Sequence, residues 1–207
     1  MKKSVIVVDL DGTLSKSNTF HAFIRYILKK SFKSLDWLWF FKILFWSGFR
    51  AFKLISHKRW KFQILKDCTG KKIDVEAFLY HIHKTINKFI LDEIKNYQVS
   101  ILATAAPELY AISLAKKYHF THYSATVFNQ KYTFFTENKQ LAKFNNVKQL
   151  LANIQNETID LLITDHIDDK ELINDAQKSW LINPDELLKR YVNNHNLIKN
   201  VKYIYLK

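Results

Sequence analysis

Glycine is nearly missing from this chain of 207 residues, with three copies, and proline occurs only twice. So few turn-formers exclude repeat-rich β architectures and long flexible linkers. A single cysteine, Cys68, cannot close an internal disulfide and has no partner at metal-ligand spacing, which points to a reducing compartment. Acid is also short: 19 Asp and Glu stand against 32 Lys and Arg, a net charge of +13. That balance favours an anionic partner, whether nucleic acid, an acidic membrane or a phosphorylated substrate, without choosing among them. No apolar run reaches the roughly 20 residues of a transmembrane helix. The opening MKKSVIVVDLDG places only five residues between its two lysines and the first acid, too few for a signal peptide. A cytoplasmic location is the expectation.

What is present is ample apolar material, 48% of residues, enough for one sizeable core and an insert. Four short apolar runs read as buried parallel strands: 5–8, 99–103, 159–164 and 180–182. Helical patterns follow three of them. Pro107 suits the first turn of a helix over 108–118. Asp168 or Asp169 caps a helix to about 178, and Asn183-Pro184 opens another to about 194. Strands alternating with helices predict an α/β fold, a Rossmann-like, doubly wound parallel sheet. Residues 125–137 (ATVFNQKYTFFTE) are β-prone around Asn129-Gln130 and predict a hairpin beside the sheet. Residues 15–94 differ in character, being helical, aromatic and basic, and read as a cap inserted into a core made of 1–14 and 95–207.

In an open parallel sheet, ligands bind outside the carboxyl ends of the strands. There the first strand delivers Asp9 and Asp11, the second Thr104, and the third Asp165 with Asp168 and Asp169. Crowded carboxylates repel one another and are commonly held by a hard divalent cation such as Mg²⁺, which also makes a site hospitable to phosphate. His21, His81, His83, His119 and His122 show no ligand spacing. A solvated strand-end turn is the competing reading of Asp9 and Asp11 alone, and it loses ground once Thr104 and Asp165/Asp169 are set beside them.

DLDGTL at 9–14, ILAT at 101–104, a lysine near 143 and TDHIDD at 164–169 resemble the four motifs of the haloacid dehalogenase (HAD) superfamily in its phosphatase branch. The resemblance implies that Asp9 is the nucleophile and forms an aspartyl-phosphate, with Asp11 protonating the leaving group and then activating water. It implies that Gly12 lets backbone amides near the phosphate and that Thr104 binds a phosphoryl oxygen. Mg²⁺ would be held by Asp9, the Asp11 carbonyl, Asp165 and Asp169. The family's third motif usually reads Gly-x-x-Lys, whereas NKQLAKFNNVKQLL has no glycine. Lys143 fits the expected distance better, with Lys148 the alternative, and either would offset charge on nucleophile and phosphate.

The insert carries WLWFFKILFW at 37–46, with Trp60 beyond. A basic helix bearing Trp and Phe can lie in a membrane headgroup region with its lysines drawn to anionic lipid; the plainer alternative is packing within the cap. FHAFIRYILKK, RW at 59–60, CTG at 68–70 and SWLINP resemble the phosphatidylglycerophosphatase C-like branch. That resemblance implies a lipid phosphomonoester at the inner bacterial membrane and a peripheral location on its inner face. A small soluble phosphomonoester, as in phosphoserine phosphatases, is the runner-up substrate. A non-catalytic basic module binding RNA or acidic membrane is the rival of another class, and no nucleic-acid motif supports an RNA partner.

Overall fold

A computed structural model describes residues 3–206. The first apolar run forms β1 (Val5–Val8), followed by five helices: α1 (Thr19–Lys33), α2 (Trp37–Ala51), α3 (His57–Cys68), α4 (Val75–Ile82) and α5 (Lys88–Ile94). The chain then alternates through β2 (Val99–Pro107), α6 (Glu108–Lys117), β3 (His122–Thr126), α7 (Leu141–Asn153), β4 (Leu161–Thr164), α8 (Lys170–Asp175), β5 (Ser179–Ile182), α9 (Glu186–Asn194) and β6 (Val201–Ile204). The six strands lie in the order β3-β2-β1-β4-β5-β6, and every pairing is parallel. This is the α/β doubly wound sheet that the alternating pattern predicts.

Strand side chains alternate between two cores, as a period of two requires. Ile6, Val8, Leu102 and Ile163 join the helices α1–α6 on one face, while Val5, Val7, Ile101 and Leu162 join α7–α9 on the other. The strand β1 is therefore buried on both faces of the sheet, and polar side chains first become useful where it ends, at Asp9. The inserted helices pack on the first core: Phe23 of α1 and Phe78 of α4 both lie against the fully buried ring of Tyr110 in α6, at 5.2 and 5.0 Å. Side chains close the open first turns of these helices, with Asn18, Asp36, Ser56 and Asp74 accepting from His21, Trp39, Arg59 and Ala77 N–H groups.

Three local expectations change. The predicted hairpin at 125–137 is absent: 122–126 is a parallel strand beside β2, and Tyr132–Phe134 forms a 3₁₀ turn. Its aromatic residues serve tertiary packing instead, with Phe135 and Tyr132 against Phe62 of α3 at 5.6 and 5.2 Å. The helix expected to reach about 178 stops at Asp175; Asp169 stands at its N-cap position without a side-chain cap bond, and Asp168 does not cap it. Asp168 instead accepts from Gln140 Nε2 at 2.8 Å and pairs with Lys139 at 3.3 Å. The terminal strand β6 has no counterpart in the sequence reading.

Candidate active site

The carboxyl ends of β1, β2 and β4 open into one cavity of about 380 Å³. Asp9, Asp11, Gly12, Thr104, Lys143, Asp165 and Asp169 all line it, so every residue singled out by its place at a strand end or by the lysine spacing reaches the same space. Lys16, Asn18, Lys139, His166 and Asp168 complete most of the wall, which is polar apart from Ala105.

Asp9 is buried, and its Oδ1 accepts from Lys143 Nζ at 2.8 Å. Lys143 is itself only 4% exposed and pairs on its other side with Asp169 at 2.7 Å. Burial would lower the Lys143 ammonium, but Asp169 and Asp9 together push it up, so it remains a cation. Lys148, the alternative, lies elsewhere, bonded to the Glu157 carbonyl and Asp175. The structure thus separates two lysines that spacing left open.

The missing glycine of the third motif also has an answer. Gln140 stands three residues before Lys143 and carries φ 54° and ψ −135°, a backbone that glycine adopts without penalty and other residues rarely take. Asp168 grips its side-chain amide, so a hydrogen bond at 2.8 Å helps hold the strained turn that opens α7.

Asp11 is fixed from the other side. Its Oδ1 accepts the Thr19 N–H at 2.7 Å, at the first turn of α1. Burial raises its carboxyl, while the Thr19 bonds and the nearby Lys61 and Lys143 ammonium groups oppose the rise. Gly12 has φ 79°, and a Cβ there would lie 1.9 Å from Asp165 Oδ2. Its own N–H is committed to Ser15 O at 2.8 Å. Glycine is needed here so that Asp165 can cross close above the turn, where Thr13 Oγ1 also donates to it at 3.2 Å. Thr104 is buried at the end of β2's regular pairing; its Oγ1 accepts from Ala106 N and its carbonyl from Asn138 Nδ2.

Five aspartates (Asp9, Asp11, Asp165, Asp168 and Asp169) against three lysines (Lys16, Lys139 and Lys143) leave the cavity short of positive charge. Burial, and then repulsion from Asp169 and Asp165, raises Asp9 despite Lys143. Burial also raises Asp165, with Asp169 adding to it, to about 6. This deficit and the all-oxygen donor set fit a hard divalent cation. Lys143 and the Thr164 hydroxyl (2.6 Å) both bond Asp169 Oδ2, while its buried Oδ1, though 2.7 Å from Lys143 Nζ, makes no hydrogen bond. The groups that could hold a metal are the carboxylates of Asp9, Asp165 and Asp169, with the Asp11 carbonyl. Among the described residues no three His, Cys, Asp or Glu side chains already converge as a ligand cluster, so water and phosphate oxygens would complete the shell.

A second polar node lies beside the cavity and escaped the sequence reading. Lys61 of α3 is 3% exposed, bonds the Ala105 carbonyl at 2.9 Å and pairs with Glu137 at 2.5 Å. Burial alone would raise Glu137, but His57 and Lys61 bring it down to about 2. This node ties an inserted helix to the carboxyl end of β2, just past Thr104. Its members are 76 positions apart in sequence and carry no local signature, so only the fold reveals the pair.

No family model matches this sequence, and no curated protein matches it either. Solved structures do. A protein of unknown function from Bordetella pertussis Tohama I superposes with a TM-score of 0.75 at 13% identity, covering 100% of this chain and 99% of its own. A phosphoserine phosphatase solved as a phospho-aspartyl intermediate analogue gives 0.57 at 15% identity, covering 98% and 100%. A HAD family hydrolase from Salmonella enterica serovar Typhi gives 0.58 at 14% identity, covering 91% of this chain and 65% of that one. At these identities the likeness concerns the fold: this chain has the fold of HAD-type hydrolases and phosphoserine phosphatases.

Proposed function

We propose that the chain is a phosphomonoester hydrolase acting through an aspartyl-phosphate on Asp9. The observation that carries this reading is the Asp9–Lys143 ion pair on the floor of a polar cavity that Asp11 and Thr104 also enter. Lys143 holds one oxygen of Asp9, which orients the carboxylate and compensates the negative charge gathering at phosphorus. An Asp9 oxygen bonds to phosphorus as the ester P–O bond breaks, and Asp11 delivers its proton to the departing alkoxide. Burial prepares Asp11 for that task by favouring its protonated form, and the Thr19 bond to Oδ1 leaves Oδ2 to carry the proton. Asp11, now ionised, takes a proton from water as the water oxygen attacks phosphorus. Inorganic phosphate leaves and the Asp9 carboxylate is restored. Mg²⁺ held by Asp9, Asp165, Asp169 and the Asp11 carbonyl would supply charge neutralisation for the phosphate and the carboxylates.

For the substrate, the cavity supports a small polar phosphomonoester. Its wall offers charged, hydroxyl and amide side chains and, apart from Ala105, no aliphatic or aromatic hydrocarbon side chain to receive acyl chains. The membrane-lipid phosphate expected from the sequence is left without support at this point, and the soluble alternative fits better. Hydrolysis of p-nitrophenyl phosphate and of phosphoserine, with Mg²⁺ and with EDTA, tests the reaction. Asp9→Asn is expected to abolish turnover while keeping the fold; undiminished phosphate release by that variant would overturn the mechanism.

A further inference from the structure

Helix α2 has two apolar faces in different surroundings. Trp39 and Ile43 are buried against α1 and α3. On the opposite side Trp37, Leu38, Phe41, Leu44 and Phe45 stand between 43% and 70% exposed. At about 100° per residue these five fill one arc of about 120°. Phe32 before the helix, and Phe52 beyond it, are more exposed than buried. The rings meet one another, Phe32 edge-on to Trp37 at 5.2 Å and Phe40 to Phe41 at 5.4 Å, rather than folding back onto the core. A contiguous exposed apolar surface of this kind marks an interaction site.

Charge identifies the occupant. Residues 29–72 hold twelve Lys and Arg against two acids. Both acids are already engaged, Asp36 by Lys71 and the Trp39 N–H, and Asp67 by the Trp46 indole at 3.1 Å. Lys42 and Lys66 border a shallow groove of about 500 Å³ walled by Leu38, Phe41 and Phe45. Lys29, Lys30 and Lys33 of α1 line a second depression, which Asp74 also borders. A second copy would bring an equally basic rim and be repelled, whereas an acidic lipid surface complements both the apolar ridge and the lysines.

We propose that this face docks on an anionic lipid bilayer, with the aromatic ridge of α2 in the headgroup region and the flanking lysines on acidic headgroups. Among the described residues no helix is long and apolar enough to cross a membrane, so the contact is interfacial. None of the ridge residues lines the catalytic cavity, and the proposal stands independently of the hydrolytic reading.

Co-sedimentation of the full chain with phosphatidylcholine vesicles, with and without about 30% phosphatidylglycerol, tests it. Binding is expected only to the anionic vesicles, weakening several-fold as salt rises from about 0.1 to about 0.5 M. Phe41→Ser/Phe45→Ser and Lys42→Glu/Lys66→Glu should each lower the partition coefficient by roughly tenfold or more, with circular dichroism and melting temperature retained. Failure to bind anionic vesicles, or variants that bind as the parent does, would overturn the proposal. So would a dimer in analytical ultracentrifugation that the double-serine variant dissociates, which would make the ridge a contact between copies.

Discussion

In the absence of a divalent cation, Asp165 should contribute a pH dependence of stability opposite to the common acid-lability of carboxylates. Burial raises its carboxyl from 3.8 to about 6 in the folded, metal-free chain. Below about pH 4 the carboxyl is protonated folded or unfolded, so it makes no difference there. Between about pH 4 and 6 the folded state keeps a proton that the unfolded state has lost, and the folded state's advantage shrinks as pH rises. Above about 6 both states are ionised and the full penalty of about 3 kcal/mol is present. In EDTA at pH 7, Asp165→Asn should therefore be more stable than the parent by up to about 3 kcal/mol, or about 6–12 °C in melting temperature for a chain of this size. At pH 4 the two should melt together. Millimolar Mg²⁺ should raise the parent's melting temperature at pH 7 and leave the variant nearly unmoved, because binding stabilises only the state that holds the ion. Calorimetry over pH 4–7.5, with EDTA and with Mg²⁺, reads both effects. Parallel melting curves for parent and variant across that range would refute the reasoning.

Other outcomes follow from single contacts. Lys143→Met leaves Asp9 and Asp169 buried without their cation and should cost about 3–5 kcal/mol in urea unfolding at pH 7, whereas Lys148→Met, at a half-exposed pair, should cost less than about 1 kcal/mol. At position 140, glycine and alanine both lose the bond to Asp168, but only glycine relieves the left-handed backbone. Gln140→Gly should then be more stable than Gln140→Ala by about 1 kcal/mol, reversing their usual order near a helix; equal midpoints would show that the turn carries no strain. Gly12→Ala forces a Cβ into Asp165, and isothermal titration should find Mg²⁺ affinity lowered by roughly tenfold or more.

How much of this was legible in the sequence depended on how local each signal was. The four core strands and the strand-end residues Asp9, Asp11, Thr104 and Asp165 announce themselves, because a buried parallel strand is a continuous apolar run and its first polar residue marks the ligand edge. Lys143 was half legible: spacing reduced the choice to two lysines, and only packing shows which is buried between carboxylates. Asp169 was found, but its partners were not, since the sequence cannot show that Lys143 and Thr164 converge on one of its oxygens. Gln140 could not be recognised as the stand-in for a motif glycine, because nothing in a glutamine advertises a positive φ. The β-prone aromatics of 125–137 misled for the opposite reason: they suit a pleated surface, and here that surface is α3. The Lys61–Glu137 node joins distant segments and leaves no periodic trace at all.

The measurement that tests the central claim most directly is rapid quenching of the enzyme with Mg²⁺ and a phosphomonoester, followed by peptide mass spectrometry. The account predicts one acid-stable phosphoryl group on the peptide containing Asp9, lost on mild alkaline hydroxylamine treatment and absent from Asp9→Asn. Turnover with no phosphorylated peptide, or a phosphoryl group carried by another residue, would contradict it.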